Sequence, residues 1–155
     1  MVLRRAVAGD VGFLREMLYL ALFVPPGAEP FHPEILDKPE LARIVEGFGA
    51  EVGDAGWIAV MDSGKPLGAA WVRRFSVDAP GFGYVDDQTP ELSIAVDVAA
   101  RGRGIGTALL ERLVADVDRI CLSVDVRNPA VRLYERFGFV EVRRDGFSAT
   151  MLRGG

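Results

Sequence analysis

Residues that carry metal and nucleophile chemistry are scarce in this chain of 155 residues, which has a single cysteine, Cys121, and a single histidine, His32. One cysteine excludes an internal disulfide and a cysteine-rich zinc site, and one histidine leaves both metal centres and a Ser/His/Asp arrangement short of parts. Long apolar runs are also missing: the longest, from Met17 to Val24, stops at Pro25 and Pro26, far short of the roughly 20 residues of a membrane span. No apolar signal core follows Arg4 and Arg5, so the expected location is cytoplasmic, with no membrane partner. An excess of positive charge is absent as well. The net charge of −4 argues against a nucleic-acid partner, which would need a broad basic face.

What is present is a globular composition, 50% hydrophobic and 26% charged, of a length that suits one domain spanning 1–155. Hydrophobic periodicity predicts a strand over Val2–Val7, a helix over Asp10–Phe23 and a short helix over Pro39–Phe48, with a proline-rich loop between the two helices. Strands are expected over Trp57–Asp62 and Pro66–Phe75, joined by a glycine turn, and the stretch "SVDAPGFGYVDDQTP" reads as irregular. A strand over Glu91–Val96, a helix over Gly104–Val117, a strand over Ile120–Val126 and a helix over Pro129–Phe137 follow, then strands over Phe139–Arg143 and Phe147–Met151. Strand and helix alternate in this second half, which implies a parallel pair joined by a crossover helix.

The most informative stretch is "ARGRGIGTALLERL", residues 100–113. Ile105, Leu109, Leu113 and Val117 form an apolar stripe that pins the helix to a sheet. The first turn of a helix has backbone N–H groups without intrahelical partners, at the positive end of its dipole. Gly102, Gly104 and Gly106 leave those groups uncovered, Arg101 and Arg103 add charge at the rim, and Thr107 offers a hydroxyl. Such a cup suits a pyrophosphate. Two familiar phosphate motifs do not fit: Gly106 is followed by Thr107 and Ala108 rather than by the Lys-Ser/Thr of a P-loop, and the G-x-G-x-x-G spacing ends on Thr107 or Leu109.

"VDVAARGRGIGTALL" resembles the acetyl-CoA binding motif of the GNAT N-acetyltransferases, Arg/Gln-x-x-Gly-x-Gly/Ala, met here by Arg101, Gly104 and Gly106. "NPAVRLYERFGF", from Asn128 to Phe139, resembles a second block of the same enzymes. The resemblance implies an α/β (α+β) fold with a mixed, mostly antiparallel twisted sheet of six to seven strands, a splayed central parallel pair and about four flanking helices. It implies acetyl-CoA as cofactor, its pantetheine arm lying in the gap between strands Glu91–Val96 and Ile120–Val126. The cofactor would contact the backbone of Ile94, Ala95 and Val96, the loop residues Arg101, Gly102, Arg103, Gly104, Ile105, Gly106 and Thr107, and Asn128 and Tyr134.

Within that frame Glu91 is the candidate general base, since burial at the start of the splayed strand would raise its pKa, and Tyr134 is the candidate general acid. Cys121 reads as a small buried residue rather than a nucleophile. The acceptor is expected to be the amine of a small molecule or peptide, met by an aromatic and acidic cup of Phe23, Phe31, Tyr84, Asp86 and Asp87. The resemblance also leaves open a homodimer, and a catalytically weak acyl-CoA-binding regulatory or sensing module of the same fold.

Overall fold

A computed structural model describes residues 1–154. The strands β1 (Val2–Arg5), β2 (Ala55–Val60), β3 (Pro66–Arg73), β4 (Glu91–Val96), β5 (Ile120–Asp125), β6 (Val140–Asp145) and β7 (Ser148–Arg153) form one seven-stranded sheet in the order β1-β2-β3-β4-β5-β7-β6. Four α-helices flank it: α1 (Val11–Ala21), α2 (Pro39–Ala42), α3 (Ile105–Asp116) and α4 (Val131–Arg136). Every neighbouring pair is antiparallel except β4 and β5. The mixed sheet with one central parallel pair is therefore the architecture the sequence implied. Among the described residues, no helix is long and apolar enough to cross a membrane.

Period-2 side-chain alternation builds two cores on the two faces of this sheet. On one face Leu92, Leu122 and Val124 meet Ile105, Leu109, Leu110 and Leu113 of α3, with Tyr134 of α4 and Phe139. On the other, Ile58, Ala69, Trp71 and Ala95 meet Leu14, Met17 and Leu18 of α1 and the segment around Leu41 to Phe48. Both tryptophans satisfy their indole N–H: Trp71 Nε1 donates to the Ile44 carbonyl at 3.1 Å and Trp57 Nε1 to Asp116 Oδ2 at 2.9 Å. Arg5 and Arg112 stack over the Trp57 ring, at 4.5 and 4.6 Å from its centroid.

The helix expected over Pro39–Phe48 is α-helical only over Pro39–Ala42. Two causes stop it. Gly47 and Gly49 take φ of 70° and 97°, outside the right-handed helical region. In addition, the Arg73 guanidinium claims the carbonyls of Arg43 and Glu46, which a longer helix would use internally. Arg73 is itself buried and paired with Asp54 by two hydrogen bonds of 3.0 Å. Removing one member strands the other charge, at a cost of about 3–5 kcal/mol. Asp54→Ala should therefore lower the chemical-denaturation stability by that amount; a change under 1 kcal/mol would show that Arg73 finds water instead. Smaller differences lie at the strand ends. The first strand stops at Arg5 and a 3-10 turn follows over Ala8–Asp10, while the proline-rich loop contains a 3-10 turn over Pro33–Asp37.

Candidate active site

The parallel pair β4 and β5 is joined at one register position, Glu91 opposite Cys121. There the Cys121 N–H donates to the Pro90 carbonyl at 3.0 Å. Backbone groups along a strand alternate sides, so residues in phase with Pro90 point toward β5. Residues of the other phase face β3, across the register that pairs Ala95 with Ala69. Ile94 and Val96 thus turn their amides into a widening gap, and the Val96 carbonyl is met there by Arg101 Nε at 3.1 Å. Ala95 contributes a small side chain on the α1 face, its backbone being committed to β3.

At the far end of the gap the chain enters α3. Gly102 and Gly104 take φ of 79° and 77°, a left-handed backbone that other residues reach only at a cost of about 1–2 kcal/mol. Gly104 is the residue before the helix, whose first regular residue is Ile105 rather than Gly104 as expected. A side chain at Gly102 or Gly104 would meet nothing within 4 Å. The glycines are thus required by backbone twist, not by crowding, and the same twist turns successive amides outward. The first helical bond is from the Ala108 N–H to the Gly104 carbonyl at 3.0 Å, and the amides of residues 102–107 find no acceptor among the described residues. Arg103 is exposed and makes no hydrogen bond or ion pair among them, and Thr107 is half-buried on the first turn.

Two cavities meet along β4. One, of about 650 Å³, is lined by Ile94, Ala95, Val96, Arg101 and Gly106 on one side and by Asn128, Leu133 and Tyr134 on the other. The second, of about 460 Å³, runs past Glu91, Ser93 and Ile94 toward α1 and the segment around Ile44. Asn128, Tyr134, Phe23 and Phe31 line both. Asn128 Oδ1 accepts the Ala130 N–H at 2.9 Å, which holds the turn into α4.

Glu91 is buried at the junction, 7% exposed. Burial pushes its carboxyl up to about 7, against the opposing pull of the Gly83 and Phe82 backbone amides and of Arg143. The Gly83 N–H lies 2.6 Å from Glu91 Oε1. A Cβ at Gly83 would stand 2.5 Å from the Leu122 carbonyl carbon, so only glycine lets this loop reach Glu91 across the β5 backbone. This clasp was not read from the sequence, where "GFGY" stood as an irregular stretch that supplied Tyr84 to the acceptor cup; its signal was the paired glycines just upstream of the strand.

Tyr134 packs edge-on to Phe139 with 5.9 Å between ring centres, and its hydroxyl bonds no protein group among the described residues. Burial pushes its phenol up to about 12, so it stays protonated across the neutral range. Cys121 is fully buried and its thiol is likewise pushed up to about 12, first by burial and then by Glu91 opposite. A thiol so protonated is a poor nucleophile.

The expected acceptor cup assembles only in part. Phe23 and Phe31 line the cavities, whereas Tyr84, Asp86 and Asp87 are not among the lining residues. The Tyr84 hydroxyl bonds the Asp87 carboxylate instead. Asp86 accepts hydrogen bonds from the Thr89 N–H and hydroxyl at 2.8 and 2.9 Å and pairs with Arg119 at 3.3 Å. In their place stand Leu18, Leu22, Ile35, Leu41, Ile44 and Phe82.

The comparisons with known proteins fall on the same elements. Residues 53–141 match the family described as the acetyltransferase (GNAT) domain, and the chain belongs to that family, a class of acetyl-transferring proteins. No curated protein sequence gives a significant match. Among solved structures, the fold is similar to that of a ribosomal-protein-alanine N-acetyltransferase from Brucella melitensis, with a TM-score of 0.66, 20% identity and all of both chains covered. It is also similar to a GNAT phosphinothricin acetyltransferase from Sinorhizobium meliloti in complex with AcCoA, with a TM-score of 0.63 and 21% identity over 98% of this chain and 86% of that one. A spermidine N-acetyltransferase variant from Vibrio cholerae shares the fold at a TM-score of 0.59 and 18% identity, over 99% and 94% of the two chains.

Proposed function

We propose that this chain is an N-acetyltransferase that moves the acetyl group of acetyl-CoA directly to the primary amine of a small molecule or peptide. The observation that carries this reading is a buried carboxyl poised near 7 at the point where two parallel strands part, with an uncovered helix start at the far end of the gap. The residues present fit the cofactor: the unpaired amides of residues 102–107, with Arg101, Arg103 and the Thr107 hydroxyl, suit a diphosphate. The outward amides of Ile94 and Val96 suit the polar groups of its arm, and Gly106, Asn128 and Tyr134 line the cavity beside them. Acetyl-CoA, when bound, supplies an acetyl group activated as a thioester.

Glu91, as general base, removes the proton of the acceptor ammonium, a task matched to a carboxyl whose value lies near the working pH. The Ile94 and Val96 N–H groups are the donors available to a carbonyl oxygen placed in the split. Tyr134, as general acid, holds its proton at Oη and delivers it to the departing sulfur. Holding the two reactants side by side supplies most of the acceleration, since effective molarities of roughly 10⁵ to 10⁸ M attend well-oriented pairs. Tyr134→Phe keeps the edge-on packing and deletes the proton, so it should lower kcat by about 10²-fold and leave the acetyl-CoA dissociation constant within about twofold. Thiol release and calorimetry check this; an unchanged kcat would remove the role.

A further inference from the structure

The walls beyond Glu91 name a narrower acceptor. Leu22, Phe31, Ile35, Leu41, Ile44 and Phe82 surround the path from the mouth to the carboxylate in the cavity of about 460 Å³, a size suited to a small molecule. Phe31 and Phe82 remain 42% and 54% exposed while lining it, two aromatic rings only partly covered by the fold. Of the polar groups in the lining, Ser93, Asn128 and Tyr134 carry no charge, the Asp125 carboxylate is held by Arg127 at 2.8 Å and the Ser123 and Ser148 hydroxyls lie 3.4 Å apart. Among the described residues, Glu91 is the one lining carboxylate without an ion-pair partner, Arg143 acting on it only from a distance, and no Lys, Arg or His lines this cavity. The acids Asp86 and Asp87 are committed to Thr89, Arg119 and Tyr84 outside it.

A second ammonium on the acceptor would find no unpaired carboxylate in this lining beyond Glu91, and a carboxylate or phosphinate would meet Glu91 with no cation in the lining to balance it. We infer that the acceptor is a monoamine with an uncharged apolar body, an aromatic ring or branched alkyl group, that lies on Phe31, Ile35, Leu41, Ile44 and Phe82 with its amino end at Glu91. This assignment rests on the proposed transfer to an amine. It excludes polyamines and amino acids as preferred acceptors, and it requires only the chain's own lining.

Thiol release from acetyl-CoA is to be followed with 2-phenylethylamine, spermidine and phosphinothricin as acceptors, and 2-phenylethylamine should exceed both others in kcat/KM by about 10²-fold. Phe82→Ser, an exposed position whose loss leaves the cores intact, should raise the KM for 2-phenylethylamine about tenfold with little change in kcat. Equal or better use of spermidine or phosphinothricin overturns the assignment. If none of the three is acetylated, 2-phenylethylamine is titrated calorimetrically into the CoA-loaded protein. Saturable heat that weakens in Phe82→Ser upholds the acceptor assignment while the catalytic reading fails; the absence of heat overturns the acceptor assignment itself.

Discussion

Glu91→Gln is expected to lower kcat for acetyl transfer by about 10² to 10⁴-fold, the range that a positioned base contributes. The wild-type rate should rise with pH through about 7, as the buried carboxyl loses its proton, and that limb should vanish in the variant. The same shift fixes the sign of a stability effect. The carboxyl is raised from 4.5 to about 7 in the folded protein, so its stabilising contribution is complete below 4.5 and is lost as pH climbs through 7. The loss amounts to about 3 kcal/mol at full ionisation. Glu91→Gln is spared it, and the variant should gain stability relative to wild type between pH 5 and 8 while losing activity. Denaturant midpoints across that window provide the readout. A parallel pH dependence in both proteins would mean that Glu91 is not the group that titrates, and a wild-type rate in the variant would mean that it is not the base.

Gly104→Glu should remove acetyl-CoA binding, raising the dissociation constant at least about 10²-fold, which corresponds to about 2.7 kcal/mol. Space does not oppose the new side chain, because nothing lies within 4 Å of its Cβ. The left-handed φ of 77° costs about 1–2 kcal/mol for any non-glycine residue. The added carboxylate is what matters: a negative charge at a helix start is favoured by the dipole, so the glutamate competes for the amides of residues 102–107 that a diphosphate would use. Gly104→Ala carries the backbone cost without the charge. The alanine variant should keep part of the acetyl-CoA-induced rise in Tm and the glutamate variant none. Equal rises in wild type and Gly104→Glu would place the cofactor elsewhere.

Much of this arrangement was legible in residue order because local chemistry and tertiary role coincide. The stripe of Ile105, Leu109 and Leu113 fixes which face of α3 is buried, and the glycines before it mark an uncovered helix start, although the left-handed turn that two of them make was not read from the sequence. The alternation of Glu91, Ser93 and Ala95 against Leu92, Ile94 and Val96 likewise separates the two faces of β4. The acceptor side was harder to read because its parts are remote in sequence. Asp86 and Asp87 look like a binding cup as a string, yet Thr89, Arg119 and Tyr84 consume them. Ile44 and Leu41 look like one face of a helix; Arg73, about thirty residues away, halts that helix and sets them at the cavity wall. The clasp of Gly83 on Glu91 depends on how closely two backbones approach, which composition does not encode.

Uncovered amides at the start of α3 and in the split of β4 are the proposed seat of the cofactor. Titrating coenzyme A into uniformly ¹⁵N-labelled protein and following backbone amide resonances tests it most directly. Gly102, Gly104 and Gly106, with Ile94 and Val96, should shift most and in step, saturating at one stoichiometric equivalent. Saturable shifts confined to other parts of the sheet, with these five amides unmoved, would contradict it.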